Sequence, residues 1–392
     1  MTDPMTPRQR FRRHMTYQPV DRPPLMDFSF WPETIDAWHE QGLPTRVQRR
    51  YDLASQERFF GMDPFPRHVG PNGFLCPAFE VKVLEDLGDE VIEQQRDGVR
   101  VRRHKQMSSI PMHEGHLLET RDDWVKHFKP RLDPDAPQRL PEDWDAAMAR
   151  ARDDGRSEPL GTAVGSLFGW IRDWMGIENV SYCVYDDPAW FEEMVVTIAD
   201  LQVANLHRLI DAGARLDMLT FWEDMCYNAG PLLAPDVFNR VLVPQYRRIT
   251  ELAPKLGVEI VWVDCDGKID ELVPGWIEGG VNTMFPLEIG SWKADPYAFR
   301  RQYGKDLRLM GGFDKRILAA GPEAIDAEVE RLAPLVAEQG FIPFCDHRVP
   351  PDVSLADYLH YLERARTVWC HGVNLPPMGE PVPVNAAASA SE

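Results

Sequence analysis

Five apolar runs in this chain stop abruptly in ionisable residues. They are Phe221-Trp222-Glu223-Asp224, Val261-Trp262-Val263-Asp264-Cys265-Asp266-Gly267, Met284-Phe285-Pro286-Leu287-Glu288, Met310-Gly311-Gly312-Phe313-Asp314-Lys315 and Phe341-Ile342-Pro343-Phe344-Cys345-Asp346-His347. Burying a charge is costly unless it is paired or bound to metal, so strands that end this way need a reason. Polar residues at the carboxyl ends of successive strands are the layout of an active site on a parallel α/β barrel. Side chains alternate along a strand, so Asp264 and Asp266 share a face and Cys265 takes the other. Two carboxylates on one face at a strand end can hold a divalent metal or share a proton. With His347 on the same rim they make an oxygen/nitrogen set for zinc, manganese or iron, zinc being the first expectation. The bland readings stand beside this one: Asp-x-Asp-Gly is an ordinary loop motif, and a lone histidine is often a structural hydrogen-bonder.

Other strand-end groups add chemistry. Glu223 or Asp224 could complete the metal shell or act as an acid/base group, with a helix cap or a rim ion pair as the structural alternative. Arg172, in Arg172-Asp173-Trp174, suits a carboxylate or phosphate, or pairs with Asp173 within its loop. Asp314 is a further catalytic candidate, and Trp174, Trp222 and Glu288 are expected substrate contacts. The chain has no dinucleotide fingerprint after a strand, no phosphate-binding loop, no nucleophile elbow and no HExxH.

The elements that must position these residues alternate from residue 160 onward. Strand-like runs at 162–168, 218–222, 258–263, 281–285, 307–311 and 341–344 are separated by amphipathic stretches at 188–212, 235–256, 269–279 and 322–340. That alternation implies a parallel sheet. The stretches end near Gly213, Gly257, Gly279 and Gly340, as helix C-caps do. Upstream, 1–22 reads as a short basic helix and turn, and 25–30 as a first strand. The Asp97-Gly98 turn between two strand-like runs over 91–102 predicts a hairpin, foreign to a pure barrel, so 81–119 is an antiparallel excursion. The Pro-, Ala- and Ser-rich tail over 376–392 is expected to be disordered.

The formal charge of −19 disfavours nucleic acid and anionic membrane as partners. Six cysteines without a CxxC pair disfavour a disulfide framework and fit a reducing cytoplasm. No apolar run is long enough to span a bilayer. Arg8, Arg10, Arg12 and Arg13 are not followed by the apolar stretch of a secretory signal.

In its order of segments the chain resembles the uroporphyrinogen decarboxylase superfamily, which includes corrinoid- and methionine-related methyltransferases. The resemblance rests on Arg10-Phe11 with Pro19-Val20-Asp21-Arg22-Pro23-Pro24, on Gly230-Pro231-Leu232-Leu233-Ala234-Pro235, on Leu309-Met310-Gly311-Gly312-Phe313-Asp314, and on Gly340-Phe341-Ile342 with Val349-Pro350-Pro351-Asp352-Val353-Ser354. It implies zinc ligands at Asp264, Asp266 and His347, where the methyltransferase branch carries His, Cys and Cys; the set here is harder and less thiophilic. It also implies an arginine-rich substrate stretch after the first strand, but Asp27-Phe28-Ser29-Phe30-Trp31-Pro32 holds no arginine, which argues against a porphyrinogen with eight carboxylates. The expected architecture is a single (β/α)8 barrel of the TIM type over 1–375 with an N-terminal helical and hairpin elaboration. The expected function is metal-supported methyl or one-carbon transfer on a small methylated or methoxylated molecule, with a corrinoid protein as partner. A decarboxylase or lyase acting on a small acid, and a non-catalytic binding barrel, are the alternatives. A homodimer is compatible with the sequence, though not argued from it.

Overall fold

The computed structural model describes residues 4–48, 52–106 and 112–379. Seven strands form one parallel sheet: β1 (Arg67–His68), β6 (Leu160–Ala163), β7 (Met218–Trp222), β10 (Ile260–Asp264), β11 (Thr283–Leu287), β12 (Arg308–Phe313) and β13 (Phe341–Cys345), hydrogen-bonded in that spatial order. The intervening labels belong to two small antiparallel sheets: β2 (Lys82–Asp86), β3 (Glu90–Gln94), β4 (Arg100–His104) and β5 (Met112–Gly115) in one, β8 (Cys226–Tyr227) and β9 (Gly230–Pro231) in the other. The parallel sheet curls with helices outside it, an α/β barrel of the TIM type.

The six later strands lie where the sequence places them, with shifted ends. The strand expected at 162–168 stops at Ala163, because Gly165 turns the chain at φ 76° toward the helix Gly169–Met175. Segment 25–30 forms no ladder, yet it fills the place of an eighth strand. Asp63 N donates to Leu25 O at 2.7 Å on one side. On the other, Val349 N donates to Ser29 O at 3.2 Å, and Phe30 makes a parallel bridge with Val349.

Alternation sorts each strand's side chains into two layers. Met218, Ile260, Trp262, Phe285, Met310, Ile342 and Phe344 face inward with Met26 and Phe65 and form the barrel interior. The outward set packs under the helices in the larger core. Phe11 and Met15, on the helix Pro7–Met15, belong to the inner cluster. That helix therefore plugs the amino end of the barrel, and burial of each of these two apolar side chains contributes about 1.5–3 kcal/mol. Its arginines are structural: Arg8 Nε donates to Asp217 at 2.8 Å, and Arg10 pairs with Asp21 and Asp63, each at 2.8 Å.

The predicted hairpin is β3 and β4, with Gln95 N donating to Val99 O at 2.8 Å across the Asp97-Gly98 turn. Gly98 takes φ 84°, which a side chain would resist. At the C-terminal end, Gly379 N donates to Phe59 O at 2.8 Å; the rest of the tail expected to be disordered, from 380, lies outside the described residues. Among the described residues no helix is long and apolar enough to cross a membrane.

Candidate active site at the carboxyl rim

Register sets the rim. Asp264 stands level with Trp222 on β7 and Phe285 on β11. One step beyond β7, Glu223 N donates to Asp264 O at 2.8 Å. Asp224 then leaves the sheet in the left-handed region at φ 41°, a conformation that costs a non-glycine residue of order 1–3 kcal/mol and clusters at functional sites. Arg172 Nη1 donates to the backbone oxygen of Asp224, and Asp266 N donates to its Oδ1 at 3.2 Å. The turn after Asp266 needs Gly267, whose φ is 87° and where a Cβ would stand 2.8 Å from the Cys226 carbonyl.

Asp224, Asp264 and Asp266 thereby bring carboxylate oxygens within 4.8 Å of one another. His347 joins them, with Nε2 3.6 Å from Asp266 Oδ2. Its imidazole is held between the Trp31 face, stacked at 5.9 Å, and the Phe28 edge at 6.1 Å. Like charges at this spacing oppose ionisation. Burial first, and Asp266 next, push Asp224 up to about 7. Burial, then Asp224 and Asp266, push Asp264 well above the usual carboxylate range, while Arg348 pulls the other way.

The donor chemistry of this cluster fits a divalent cation. Carboxylate oxygens and an imidazole nitrogen are a hard to intermediate set, suited to zinc, manganese or iron, and a cation offsets the repulsion that raises Asp224 and Asp264. The set does not include sulfur: Cys265 Sγ turns back to accept from Met225 N at 3.3 Å, and Cys345 is fully buried. Asp224, read from the sequence as a group that could complete the metal shell or act as an acid/base, stands with the two aspartates of the predicted ligand set.

The remaining expected residues surround the cluster in other positions. Glu223 is completely buried, and both its oxygens are occupied. Oε1 accepts from Leu167 N at 2.8 Å and Tyr246 OH at 2.6 Å, and Oε2 from Ser166 Oγ at 2.9 Å, Phe168 N at 2.9 Å and Gly169 N at 3.2 Å. Five donors leave it no lone pair for the rim, so the expectation of a catalytic Glu223 gives way to its structural alternative, a carboxylate that caps the helix bearing Arg172. Asp314 likewise caps its own helix, accepting from Arg316 N at 2.9 Å and pairing with the Arg316 guanidinium at 2.6 Å. Trp174, expected to touch substrate, is 1% exposed and packs on Phe74, Phe128 and Trp170; that packing places it in the core, and Trp170 faces the cavity instead. Glu288 accepts from Gly267 N at 2.7 Å and Ser291 Oγ at 2.8 Å, so it holds the Asp266 loop. Asp346, buried before His347, accepts from Ile289 N, Gly290 N and Lys315 N at 2.9–3.0 Å and ties three loops together.

A cavity of about 350 Å³ opens beside the acids. Phe28, Phe65, Trp222, Trp262 and Phe285 make its apolar walls, and Asp264, Arg348 and His68 its polar ones. Arg348 also lies 5.1 Å over the Trp31 ring. Sequence reasoning missed His68: it stands on a two-residue strand, too short to show a period. It is exposed at the cavity, yet partial desolvation by the protein around its ring, with Arg67 beside it, pushes its pKa down to about 4. Its Nε2 lies 2.9 Å from Thr220 Oγ1.

A parallel barrel with its polar side chains gathered at the carboxyl rim belongs to the TIM-type enzyme scaffolds. The family model described as uroporphyrinogen decarboxylase (URO-D) matches residues 91–368, and this chain belongs to that family, as a divergent member. Uroporphyrinogen decarboxylase from Maricaulis maris (strain MCS10) is 25% identical over 183 residues, covering 46% of this chain and 50% of that protein. The enzyme of the same name from Nocardia farcinica (strain IFM 10152) is 27% identical over 156 residues, covering 40% and 41%. The chain thus matches about half the length, or less, of these curated relatives. Among solved structures, a methyltransferase from Methanosarcina mazei superposes with a TM-score of 0.57 at 14% identity, covering 92% of this chain and 98% of that one; the likeness is one of fold.

Proposed function

We propose that this protein is an enzyme of methyl or one-carbon transfer, acting on a small methylated or methoxylated molecule at a divalent metal held by Asp264, Asp266 and His347, with Asp224 beside them. The observation that carries the reading is the close approach of three carboxylates and an imidazole at the mouth of an aromatic-walled cavity. At about 350 Å³ the cavity lies near the small end of ligand pockets, roughly 300–1,000 Å³. That size suits a small substrate better than a tetrapyrrole, in keeping with the missing arginines after residue 27.

Bound there, a divalent cation supplies Lewis-acid polarisation of a substrate oxygen or nitrogen. The chain's own residues do the rest. Arg348 offers a guanidinium to an oxyanionic substituent. The rings of Phe28, Trp262 and Phe285 orient the substrate and exclude water. Asp224, beside the ligands, offers a carboxylate oxygen that can accept a proton from the substrate. A corrinoid-carrying protein, which the sequence resemblance implies, is the partner that would exchange the methyl group.

A decarboxylase or lyase is the second reading. It is favoured by one pairing: an acid titrating near neutrality and an arginine against the same cavity are the parts needed to anchor and protonate a small carboxylic acid. The two readings part in one assay. The purified protein is offered a panel of methoxylated, N-methylated and carboxylated small molecules, with a free corrinoid as methyl acceptor. Methyl transfer supports the first reading. Release of CO₂ without methyl transfer replaces it with the second.

A further inference from the structure

The rim cavity has a neighbour. A second chamber of about 260 Å³ runs along the Val69–Phe74 loop. It shares His68, Ala163, Gly165 and Trp170 with the first, so the two adjoin along those residues. Their chemistry differs. The first chamber carries Asp264 and Arg348. The second has no Asp, Glu, Lys or Arg among its lining residues. Its walls are Val69, Pro71, Phe74 and Trp170, the last two set edge to face with centroids 4.9 Å apart. Its polar members are neutral: Asn72, whose Oδ1 accepts from Phe74 N at 2.9 Å, His68, whose Nε2 meets Thr220 Oγ1, and Thr162. A charged group placed there would find no countercharge. An apolar group would gain by leaving water.

We propose that the Val69–Phe74 chamber is a second subsite that takes an uncharged, ring-sized tail of the substrate, while the chamber at Asp264 and Arg348 takes an oxyanionic head. The substrate class is therefore an amphipathic small molecule, charged at one end only. This rests on the reading of the rim as an active site, but not on which reaction occurs there. Gly70 and Gly73 keep the chamber's outer wall close: a Cβ at Gly70 would stand 2.7 Å from Thr162 Oγ1, and one at Gly73 would stand 2.7 Å from Gln202 Oε1. The loop is thus pinned against β6 and the helix Pro188–Asp211, and the chamber is a built feature of the fold.

The test reads binding alone, by calorimetry on the intact protein, with acetate, hexanoate, 4-phenylbutanoate and hexanedioate as probes. 4-Phenylbutanoate should bind at least about tenfold more tightly than acetate, the gain expected from burying a phenyl group. Hexanoate should bind more tightly than hexanedioate, whose second carboxylate finds no countercharge in the chamber. Val69→Trp, which fills the chamber, should bring the phenylbutanoate-to-acetate affinity ratio to near one. Pro71→Trp reads the same ratio should the first variant fail to fold, as judged by near-ultraviolet circular dichroism. A ratio near one in the wild type, hexanedioate binding as tightly as hexanoate, or a ratio that survives in the filled variants overturns the proposal. No turnover is measured, so the one-carbon reading stands or falls separately.

Discussion

The two ends of the barrel treat buried carboxylates in opposite ways. At the amino end each acid meets a guanidinium. Asp63 takes Arg22 at 2.5 Å and Arg10 at 2.8 Å, and Asp217 takes Arg8 and Arg156, each at 2.8 Å. Although burial works against it, hydrogen bonding from Arg10 holds Asp21 well below the usual carboxylate range. At the carboxyl end three acids meet one another. Asp224, Asp264 and Asp266 converge, Arg172 spends its guanidinium on a backbone oxygen and on Asp173, and the pKa values of Asp224 and Asp264 rise. Paired charge holds the fold closed; crowded like charge is a cost that stability does not explain and that a cation or a proton relieves.

The sharpest contrast is in stability. Asp63→Ala strips Arg10 and Arg22 of their shared partner in a buried setting, which should cost about 3–5 kcal/mol in urea unfolding. Asp266→Asn at the other end should cost almost nothing, or stabilise the metal-free protein. A costly Asp266→Asn in metal-free protein would erase the distinction between the two ends.

Next in size is Glu223→Ala. It leaves the Leu167, Phe168 and Gly169 amides without their acceptor, at about 1–3 kcal/mol for an unsatisfied buried group. The loss should appear in thermal unfolding whether or not substrate turns over. An unchanged melting temperature would restore Glu223 as a candidate acid.

The pH dependence carries a sign. Asp224 has a folded pKa of about 7 against an ordinary 3.8. The folded state therefore binds more protons between these values, and the ionised group destabilises it as pH rises through that window. In metal-free protein, Asp224→Asn should be more stable than the wild type at pH 8, and the difference should vanish toward pH 4. Taking the difference between variant and wild type cancels the buried His14 and His68, whose lowered pKa values act in the opposite direction. A difference that is flat with pH contradicts the crowding.

The smallest expected effect is at the surface. With a formal charge of −19, retention on duplex DNA or anionic vesicles near physiological salt should be undetectable. Salt-sensitive retention would reveal a basic face that the net charge hides.

The sequence made the carboxyl rim legible because period-two alternation and an abrupt change from apolar to acidic residues are local signals. Asp264, Asp266 and His347 could be read that way. What each carboxylate does could not be. Glu223 and Asp224 are adjacent and look alike, yet one is sealed by five donors from segment 166–169 and Tyr246, and the other turns out at φ 41°. Trp170 and Trp174 lie one helical turn apart on the same face, and the difference between them is tertiary: Phe128 packs on Trp174. His68 and the chamber beside it depend on contacts between segments far apart in sequence, which no local pattern encodes.

The most direct test is the metal content of the protein as purified from cells grown with zinc, manganese and iron, set against Asp266→Asn prepared in parallel. About one equivalent of a divalent metal per chain in the wild type, lost in the variant while its circular dichroism is unchanged, is the predicted result. A wild-type protein that is metal-free as isolated, and that takes up none of the three ions when each is added back, would contradict the account.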